Sequence, residues 1–275
     1  MLDQTTVSQG LAELGLDGSS TVLVHASLRS FGHVAGGAAT VCRALAATCG
    51  TVMMLAGSGD LTRVPAPPGL IRPHNAYFTA DSWPEFDEIV ASRVPFAADL
   101  PVDKWLGTIA ETMRCTVAHE RGAHPLLSFL ATGTHARRLV AAQRVEWPLG
   151  PIEELAALGG DVLLLGVGHT SNTTIHLAEQ RLGRARFYRY AIGAPGVWQE
   201  LPNIPGDSHR FEEIEPHLRA ATAETRIGSC HARRIPATEV LRAADRLIRA
   251  DPGAMLCDDP DCRCTAALQQ RLAAL

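Results

Sequence analysis

Two short apolar runs, Thr21-Val-Leu-Val-His25 and Thr51-Val-Met-Met-Leu55, decide how this chain folds. Each run begins directly after a turn signal and has the length of a buried strand. Between them, from Ala38 to Thr48, apolar residues recur with helical spacing until Gly50 ends the pattern. A strand, a crossover helix and a second strand at this spacing predict a right-handed βαβ unit with parallel strands.

The segments outside this unit extend the α/β pattern. Asp161-Val-Leu-Leu-Leu-Gly166 is the strongest candidate for a buried strand, and a polar turn leads from it into a helix predicted over 173–181. The segment 187–235 is too poorly periodic for an assignment. Further helices are predicted over residues 5–15, 106–114, 132–143 and 238–250.

Residues 57–104 differ in character, being rich in proline and glycine. A long irregular segment inside a compact domain is usually a lid or a binding loop. We therefore interpret it as a substrate-binding insertion. Its middle is acidic, with Asp81, Glu85, Asp87 and Glu88.

The composition excludes several classes of protein. The 275 residues are 46% apolar and 20% charged, which is typical of a globular chain and excludes intrinsic disorder. There is no apolar run long enough for a membrane span and no secretory signal, and the net charge of −4 argues against nucleic acid as a partner. With seven cysteines and no signal peptide, we expect reduced thiols and a cytoplasmic location.

The polar turn after the strand at 161–166 is the first candidate site. On the helix that follows, His176 and Glu179 are three residues apart and share one face. A carboxylate beside an imidazole fixes its tautomer, as a general base requires. The hydroxyls of Thr173 and Thr174, with N–H groups of the first helical turn, are candidates to bind an oxyanion or a thioester carbonyl. The alternative is an ordinary structural His–Glu pair.

A second candidate follows the first strand, in Ser27-Leu-Arg-Ser30. Hydroxyls, backbone N–H groups and a guanidinium at such a turn suit a pyrophosphate. The pattern is neither GxGxxG nor GxxxxGK[ST], which disfavours a nucleotide site of the Rossmann or P-loop type. A tight turn without a ligand is the alternative. In a third stretch, Ser128 either reaches a ligand or belongs to a packed loop.

The C-terminal tail, residues 251–275, contains Cys257-Asp-Asp-Pro-Asp-Cys-Arg-Cys264. Three thiols in eight residues are compatible with three zinc ligands, with a histidine from elsewhere as the fourth. The CxC spacing is tighter than the usual CxxC, and a plain loop is the favoured interpretation. No metal is therefore expected.

Taken in order, several segments resemble the aminoglycoside 3-N-acetyltransferase family. The resemblance covers nearly the whole chain, and its most specific segment is 162–179. The matching stretches include Leu23-Val-His-Ala-Ser-Leu-Arg-Ser-Phe-Gly32, Val34-Ala-Gly-Gly37, Leu106-Gly-Thr-Ile-Ala-Glu111, His124-Pro-Leu-Leu-Ser-Phe-Leu-Ala-Thr-Gly133, Pro148-Leu-Gly-Pro-Ile152 and Val162-Leu-Leu-Leu-Gly-Val-Gly-His-Thr-Ser-Asn-Thr-Thr-Ile-His-Leu-Ala-Glu179.

This resemblance implies one domain over residues 1–275, a three-layer α/β/α fold with a central mixed, mainly parallel sheet. It implies acetyl-CoA as the donor and an amine of the 2-deoxystreptamine ring of an aminoglycoside as the acceptor, in a monomer or homodimer. His176 would be the base, supported by Glu179, with Thr174 near the thioester. The residues expected to hold coenzyme A are Ser27, Leu28, Arg29, Ser30 and Ser128, and the acidic residues expected to bind the drug are Asp60, Asp81, Glu85, Asp87, Glu88 and Asp207.

The chain departs from the family in the acceptor half, where Met54-Leu-Ala-Gly-Ser-Gly-Asp60 stands in place of a Met-Pro-Thr type of strand end. Because no nucleophile-elbow motif is present, we expect direct attack of the amine on the thioester. The rival hypotheses are an acyltransferase that acts on a different amine, a non-catalytic protein that binds a cationic ligand and, more remotely, a zinc hydrolase.

Overall fold

The computed structural model describes residues 1–70 and 78–275. Its α-helices are α1 (Gln4–Glu13), α2 (Gly37–Thr48), α3 (Gly59–Thr62), α4 (Trp83–Ser92), α5 (Thr108–Thr116), α6 (Ala136–Ala141), α7 (Gly150–Ala157), α8 (Thr174–Arg181), α9 (Glu215–Leu218), α10 (Ala237–Ala250) and α11 (Arg263–Ala273). Its strands are β1 (Thr21–Ala26), β2 (Thr51–Leu55), β3 (Arg63–Val64), β4 (Glu120–Arg121), β5 (Phe129–Gly133), β6 (Asp161–Leu165), β7 (Phe187–Ala194), β8 (Val197–Ile204), β9 (Ala223–Ile227) and β10 (Cys230–Pro236). Within the described ranges, no helix combines the length and the apolar character that crossing a bilayer requires.

A seven-stranded sheet in the order β4-β5-β2-β1-β6-β10-β9 forms the centre of the molecule. Strand β1 pairs in parallel with both β2 and β6. Strands β5 and β10 run antiparallel to their neighbours on both sides, so the other strands of this sheet all point the same way. The predicted βαβ unit and the mixed, mainly parallel sheet are confirmed.

Helices cover both faces of this sheet, because successive strand residues point to opposite sides. Val22 and Val24 of β1 belong to the core that includes α1, α2 and α5. Leu23, between them, belongs to the core that includes α6, α7, α8 and α10. The fold is therefore the predicted α/β/α arrangement.

The sequence prediction is wrong at the start of α6. The helix predicted over 132–143 begins only at Ala136, and Thr132 lies in β5. Strand β5 forms because Phe129, Leu130 and Ala131 are fully buried against β2. Gly133 ends it with a φ of +99°, where an added Cβ would lie 2.1 Å from the carbonyl oxygen of Gly50.

The insertion at 57–104 contains regular structure that its composition does not suggest. Strand β3 joins the hairpin of β7 and β8 in a second, three-stranded sheet, and α4 packs on it through Phe86 and Val90. Ser82 caps α4, and Glu85 accepts a hydrogen bond from the backbone N–H of Asp81 at 2.8 Å. The hairpins of β7–β8 and β9–β10 occupy most of the unassigned segment 187–235.

His124, which precedes β5, is a buried histidine that accepts hydrogen bonds. Its Nδ1 atom receives the backbone N–H groups of Leu126 at 3.2 Å and Leu127 at 3.1 Å. Burial lowers the pKa of His124 to about 4. The folded protein thus holds this ring neutral at a pH where an unfolded chain would already bind a proton.

We expect this ring to make folding acid-sensitive. Since the folded pKa lies below the unfolded one, the stability that His124 contributes is full above pH 6.5 and falls by roughly 3 kcal/mol as the pH drops to 4. In His124→Asn, an amide oxygen replaces Nδ1 as acceptor but does not titrate. Lowering the pH from 7 to 4 should therefore reduce the free energy of unfolding of the wild type by that amount more than it reduces that of the variant, as measured by urea denaturation. A difference between the two proteins that stays constant with pH would contradict this expectation.

Candidate active site

The parallel pairing of β1 with β6 brings two of the predicted sites together. Ala26, at the end of β1, pairs with Leu165, at the end of β6. The turn at 27–31 follows β1, and the turn at 166–172 follows β6 and leads into α8. Because the carboxyl ends of parallel strands meet at one edge, these turns lie side by side, where α/β sheets commonly bind ligands.

Gly166 allows the two turns to approach each other. It has a φ of +67°, and a Cβ at this position would lie 1.8 Å from the hydroxyl oxygen of Ser30. That hydroxyl donates to the carbonyl oxygen of Ser27 at 2.7 Å. Ser30, expected to bind coenzyme A, therefore closes its own turn and does not line the cleft described below.

A cleft of about 750 Å³ opens at this edge of the sheet and contains several of the predicted residues. His176 and the predicted residues Ser27, Leu28, Arg29 and Asp207 all line it. The cleft therefore joins the turn after β1 to the candidate base on α8. Its other polar or aromatic lining residues among those described include His25, Arg63, Trp105, Thr108, Thr170, Ser171, Asn172, Thr173, Arg189, Ser208 and His209.

A chain of buried charged groups holds the ring of His176. Its Nδ1 atom lies 2.6 Å from Oε2 of Glu179. The other oxygen of Glu179 accepts from Nε of Arg184 at 3.0 Å, and both Glu179 and Arg184 are fully buried. Arg184 also donates to the carbonyl oxygens of Pro252 at 3.0 Å and Ala254 at 2.8 Å.

This arrangement defines which nitrogen of His176 is available. A carboxylate only accepts hydrogen bonds, so Nδ1 carries a proton and donates it to Glu179. The ring is 7% exposed and reaches the cleft, which leaves Nε2 as the nitrogen with a free lone pair. The ring of Phe211, with its centroid 4.7 Å from that of His176, restricts the imidazole further.

The turn after β1 supplies a cation to the same cleft. Arg29 is exposed there, and its guanidinium forms no hydrogen bond or ion pair with any residue that the structure describes. His25 also lines the cleft, and burial lowers its pKa to about 4, so its ring is neutral near pH 7. An anionic ligand would thus meet a guanidinium beside an uncharged imidazole.

The start of α8 differs from the expected oxyanion site. Thr174 is fully buried and does not line the cleft, whereas Thr173 does. The backbone N–H of Thr174 donates to the side chain of Asn172 at 3.2 Å. Those of Ile175 and His176 donate to the carbonyl oxygens of Asn172 and Thr173. The first-turn N–H groups that we expected to be free are therefore occupied.

Ser128 lies away from the cleft as well. Its hydroxyl donates to the carbonyl oxygen of Ala56 at 2.6 Å and accepts from Nε of Arg121 at 3.3 Å. Arg121 also donates to the carbonyl oxygen of Ala98 at 3.0 Å and the hydroxyl of Ser58 at 2.7 Å. Together they anchor the two ends of the insertion to the central sheet.

Most of the acidic residues that were expected to bind the drug also lie outside the cleft. Within the described ranges, Asp60, Asp81, Glu85, Asp87 and Glu88 do not line the cleft. Asp207 does, but its carboxylate forms an ion pair with Arg263. Although burial opposes it, this guanidinium holds the pKa of Asp207 below its usual value.

Sequence analysis did not identify Arg184 as part of the site. It lies five residues beyond Glu179, past the end of α8, and the chain folds back there through Gly183 with a φ of +76°. An arginine after a helix carries no periodic signal of its own. Arg63 and Arg189 were missed because they come from the insertion and from the unassigned hairpin, and Trp105 because it follows directly after the insertion; none of these segments carries a periodic pattern.

Comparison with known proteins assigns the chain to a family. Residues 23–249 match the family model described as aminoglycoside 3-N-acetyltransferase. The chain belongs to the aminoglycoside 3-N-acetyltransferase family. It is therefore placed among acyltransferases, as the sequence resemblance implied.

Individual relatives match over most of their length. The SPbeta prophage-derived aminoglycoside N(3′)-acetyltransferase-like protein YokD of Bacillus subtilis is 29% identical over 262 residues, which are 88% of this chain and 90% of that protein. Its crystal structure superposes with a TM-score of 0.79 over 92% of this chain and 95% of its own, at 28% identity. The apoenzyme of aminoglycoside acetyltransferase AAC(3)-IVa superposes with a TM-score of 0.77 over 98% of both chains, at 26% identity.

The buried ion pair of Glu179 and Arg184 behind His176 predicts that loss of the carboxylate strongly destabilises the protein. Glu179→Ala should lower the free energy of unfolding by about 3–5 kcal/mol, because it leaves the buried Arg184 without its counter-charge. The matched control is Glu239→Ala, which removes the partner of Arg242 in an exposed pair on α10 and should change stability by less than about 1 kcal/mol. Urea denaturation measures both. Equal effects of the two substitutions would show that the buried ion pair is not a structural requirement.

Proposed function

We propose that this protein transfers an acetyl group from acetyl-CoA to the 3-amino group of the 2-deoxystreptamine ring of an aminoglycoside. Membership of the family and the names of its relatives support this reaction. The observation that carries the proposal is the Glu179–His176 pair opening into a cleft that also contains the turn at 27–29.

The turn at 27–29 suits coenzyme A. The hydroxyl of Ser27 and the guanidinium of Arg29 match the phosphate oxygens of the coenzyme, and Leu28 offers an apolar contact beside them. A structure with the same fold, AAC-IIIb, was solved as a binary complex with CoASH. The bound thioester would supply an activated acyl carbon, and the protein has to position an amine against it.

His176 would act as the general base. An amine attacks only through its free lone pair, so a proton has to leave the nitrogen as its bond to the acyl carbon forms. Nε2 of His176 takes that proton, and Glu179 stabilises the resulting imidazolium through Nδ1–H. The carbon–sulfur bond breaks as the amide forms, and the departing sulfur takes the proton back from the His176 imidazolium, which yields the free thiol and regenerates the neutral base. The hydroxyl of Thr173, which lines the cleft, replaces that of Thr174 as the candidate donor to the carbonyl oxygen.

The charge of the cleft favours a second candidate acceptor. Among the described lining residues, the guanidinium of Arg29 has no ion-pair partner in the described ranges, whereas the carboxylate of Asp207 is already paired with Arg263. A ligand with several positive charges gains little from such a lining. This observation favours an acyltransferase whose acceptor is an amine of lower charge. A variant of AAC(3)-IVa, however, was solved in complex with a gentamicin, at a TM-score of 0.75 to this chain.

A thiol-release assay with acetyl-CoA and a panel of 2-deoxystreptamine compounds tests this proposal. We expect release of free coenzyme A with at least one aminoglycoside. His176→Gln should lower kcat/KM by about 10²–10⁴-fold, the usual contribution of a general base, with coenzyme A binding retained. The control is His33→Gln, which changes an exposed histidine outside the cleft and should leave turnover unaltered.

The outcomes separate the alternatives. Full turnover by a folded His176→Gln protein would exclude the general-base role. Thiol release with a simpler amine and with none of the aminoglycosides would favour the second candidate. Binding of cationic ligands without binding of coenzyme A would overturn the proposal of an acetyltransferase.

A further inference from the structure

The cysteines of the C-terminal tail meet a histidine from a distant part of the chain. The donor atoms of His209, Cys257, Cys262 and Cys264 all lie within 4.8 Å of one another. His209 is separated from the nearest of these cysteines by 48 residues, and its Nε2 atom lies 3.2 Å from the sulfur of Cys262. Packing of the tail alone does not require an imidazole and three thiols to converge on one point.

The donor set and its spacing match one kind of ion. Thiolate and imidazole ligands select zinc over magnesium or calcium, which prefer oxygen. In a tetrahedral zinc site with Zn–S bonds of about 2.3 Å, the sulfur atoms lie about 3.8 Å apart. The described donor atoms are already within about one ångström of that spacing, so small side-chain rotations would complete a tetrahedron.

Two backbone donors face the sulfurs of this cluster. The N–H groups of Asp259 and Cys264 point to the sulfurs of Cys257 and Cys262, respectively. The carboxylate of Asp207, which contacts the sulfur of Cys262 at 3.5 Å, is paired with Arg263. When a metal binds, the three thiols release their protons to solvent, and the metal ion together with these backbone donors stabilises the negative charge that remains.

We propose that His209, Cys257, Cys262 and Cys264 bind one zinc ion that fastens the C-terminal tail to the wall of the cleft. The site uses four protein ligands and leaves no open position for a substrate, which makes it structural. Cys262 caps α11, and Cys264 lies in its first turn. His209 belongs to the segment 204–209 that lines the cleft beside Asp207. This inference replaces our expectation that the chain binds no metal.

Metal analysis of the full-length protein, purified without chelators from zinc-supplemented medium and without a histidine tag, tests the proposal. We expect one zinc per chain in the wild type and in Cys115→Ser, which changes an exposed cysteine outside the cluster. Cys262→Ser should lose the zinc. A chelator should lower the melting temperature of the wild type by several degrees and leave that of Cys262→Ser unchanged.

Cobalt substitution in the wild type serves as the second measurement if Cys262→Ser does not fold. Tetrahedral Co²⁺ bound to thiolates should show sulfur-to-cobalt charge-transfer bands, which weaken in His209→Ala. Wild-type protein without stoichiometric zinc, or with a disulfide among the tail cysteines, would overturn the proposal. So would zinc that persists in Cys262→Ser. None of these readouts depends on acetyl transfer, so failure of the metal site and failure of the proposed reaction can be told apart.

Discussion

The carboxylate of Glu179 is the group on which the site depends. It is fully buried, and one of its oxygens contacts Arg184 while the other contacts His176. A buried carboxylate is costly without compensating partners, and here the guanidinium and the imidazole N–H provide them. Arg184 is held in turn by two backbone carbonyl groups near Pro252. The position of one imidazole in the cleft thus depends on packing that extends to the end of α10.

The central sheet brings this imidazole to a ligand site. Parallel pairing of β1 and β6 places their carboxyl ends together, and Gly166 lets the two following turns touch. Local structure and function are linked here because the same register that buries Val22, Leu23 and Val24 also sets the distance between Arg29 and His176. A slip of one residue would send Val22 and Val24 to the side of the sheet that Leu23 now occupies, so both packed cores would have to rearrange.

The sequence predicts the centre of the fold better than its edges. Strands β1, β2 and β6 are short apolar runs between turn signals, and helices α2 and α10 have a clear apolar face. The local pattern is therefore sufficient to assign these elements from the sequence. Strand β5 was missed because its burial depends on β2, a partner distant in sequence. The hairpin within 187–204 was missed because burial does not alternate along its strands: residues 189–192 of β7 are all buried, whereas the apolar Val197 and Trp198 of β8 are exposed.

The same distinction applies to the site. The pair of His176 and Glu179 is local to one helical turn and could be predicted from spacing. Arg184, Arg63 and Arg189 could not, because their positions depend on how loops and hairpins fold back. The acidic residues of the insertion were predicted from charge alone, whereas in the structure Glu85 accepts the backbone N–H of Asp81 just before α4. Asp207 lines the cleft, but its partner Arg263 comes from the tail.

Long-range ¹⁵N NMR of histidine-labelled protein tests the central claim most directly. If Glu179 accepts a hydrogen bond from His176, the neutral ring must be protonated at Nδ1 and carry its lone pair on Nε2. We therefore expect an Nδ1–H tautomer for His176 near neutral pH, with a strongly deshielded Nδ1 proton that disappears in Glu179→Gln. A ring of His176 protonated at Nε2 in the wild type would contradict this account.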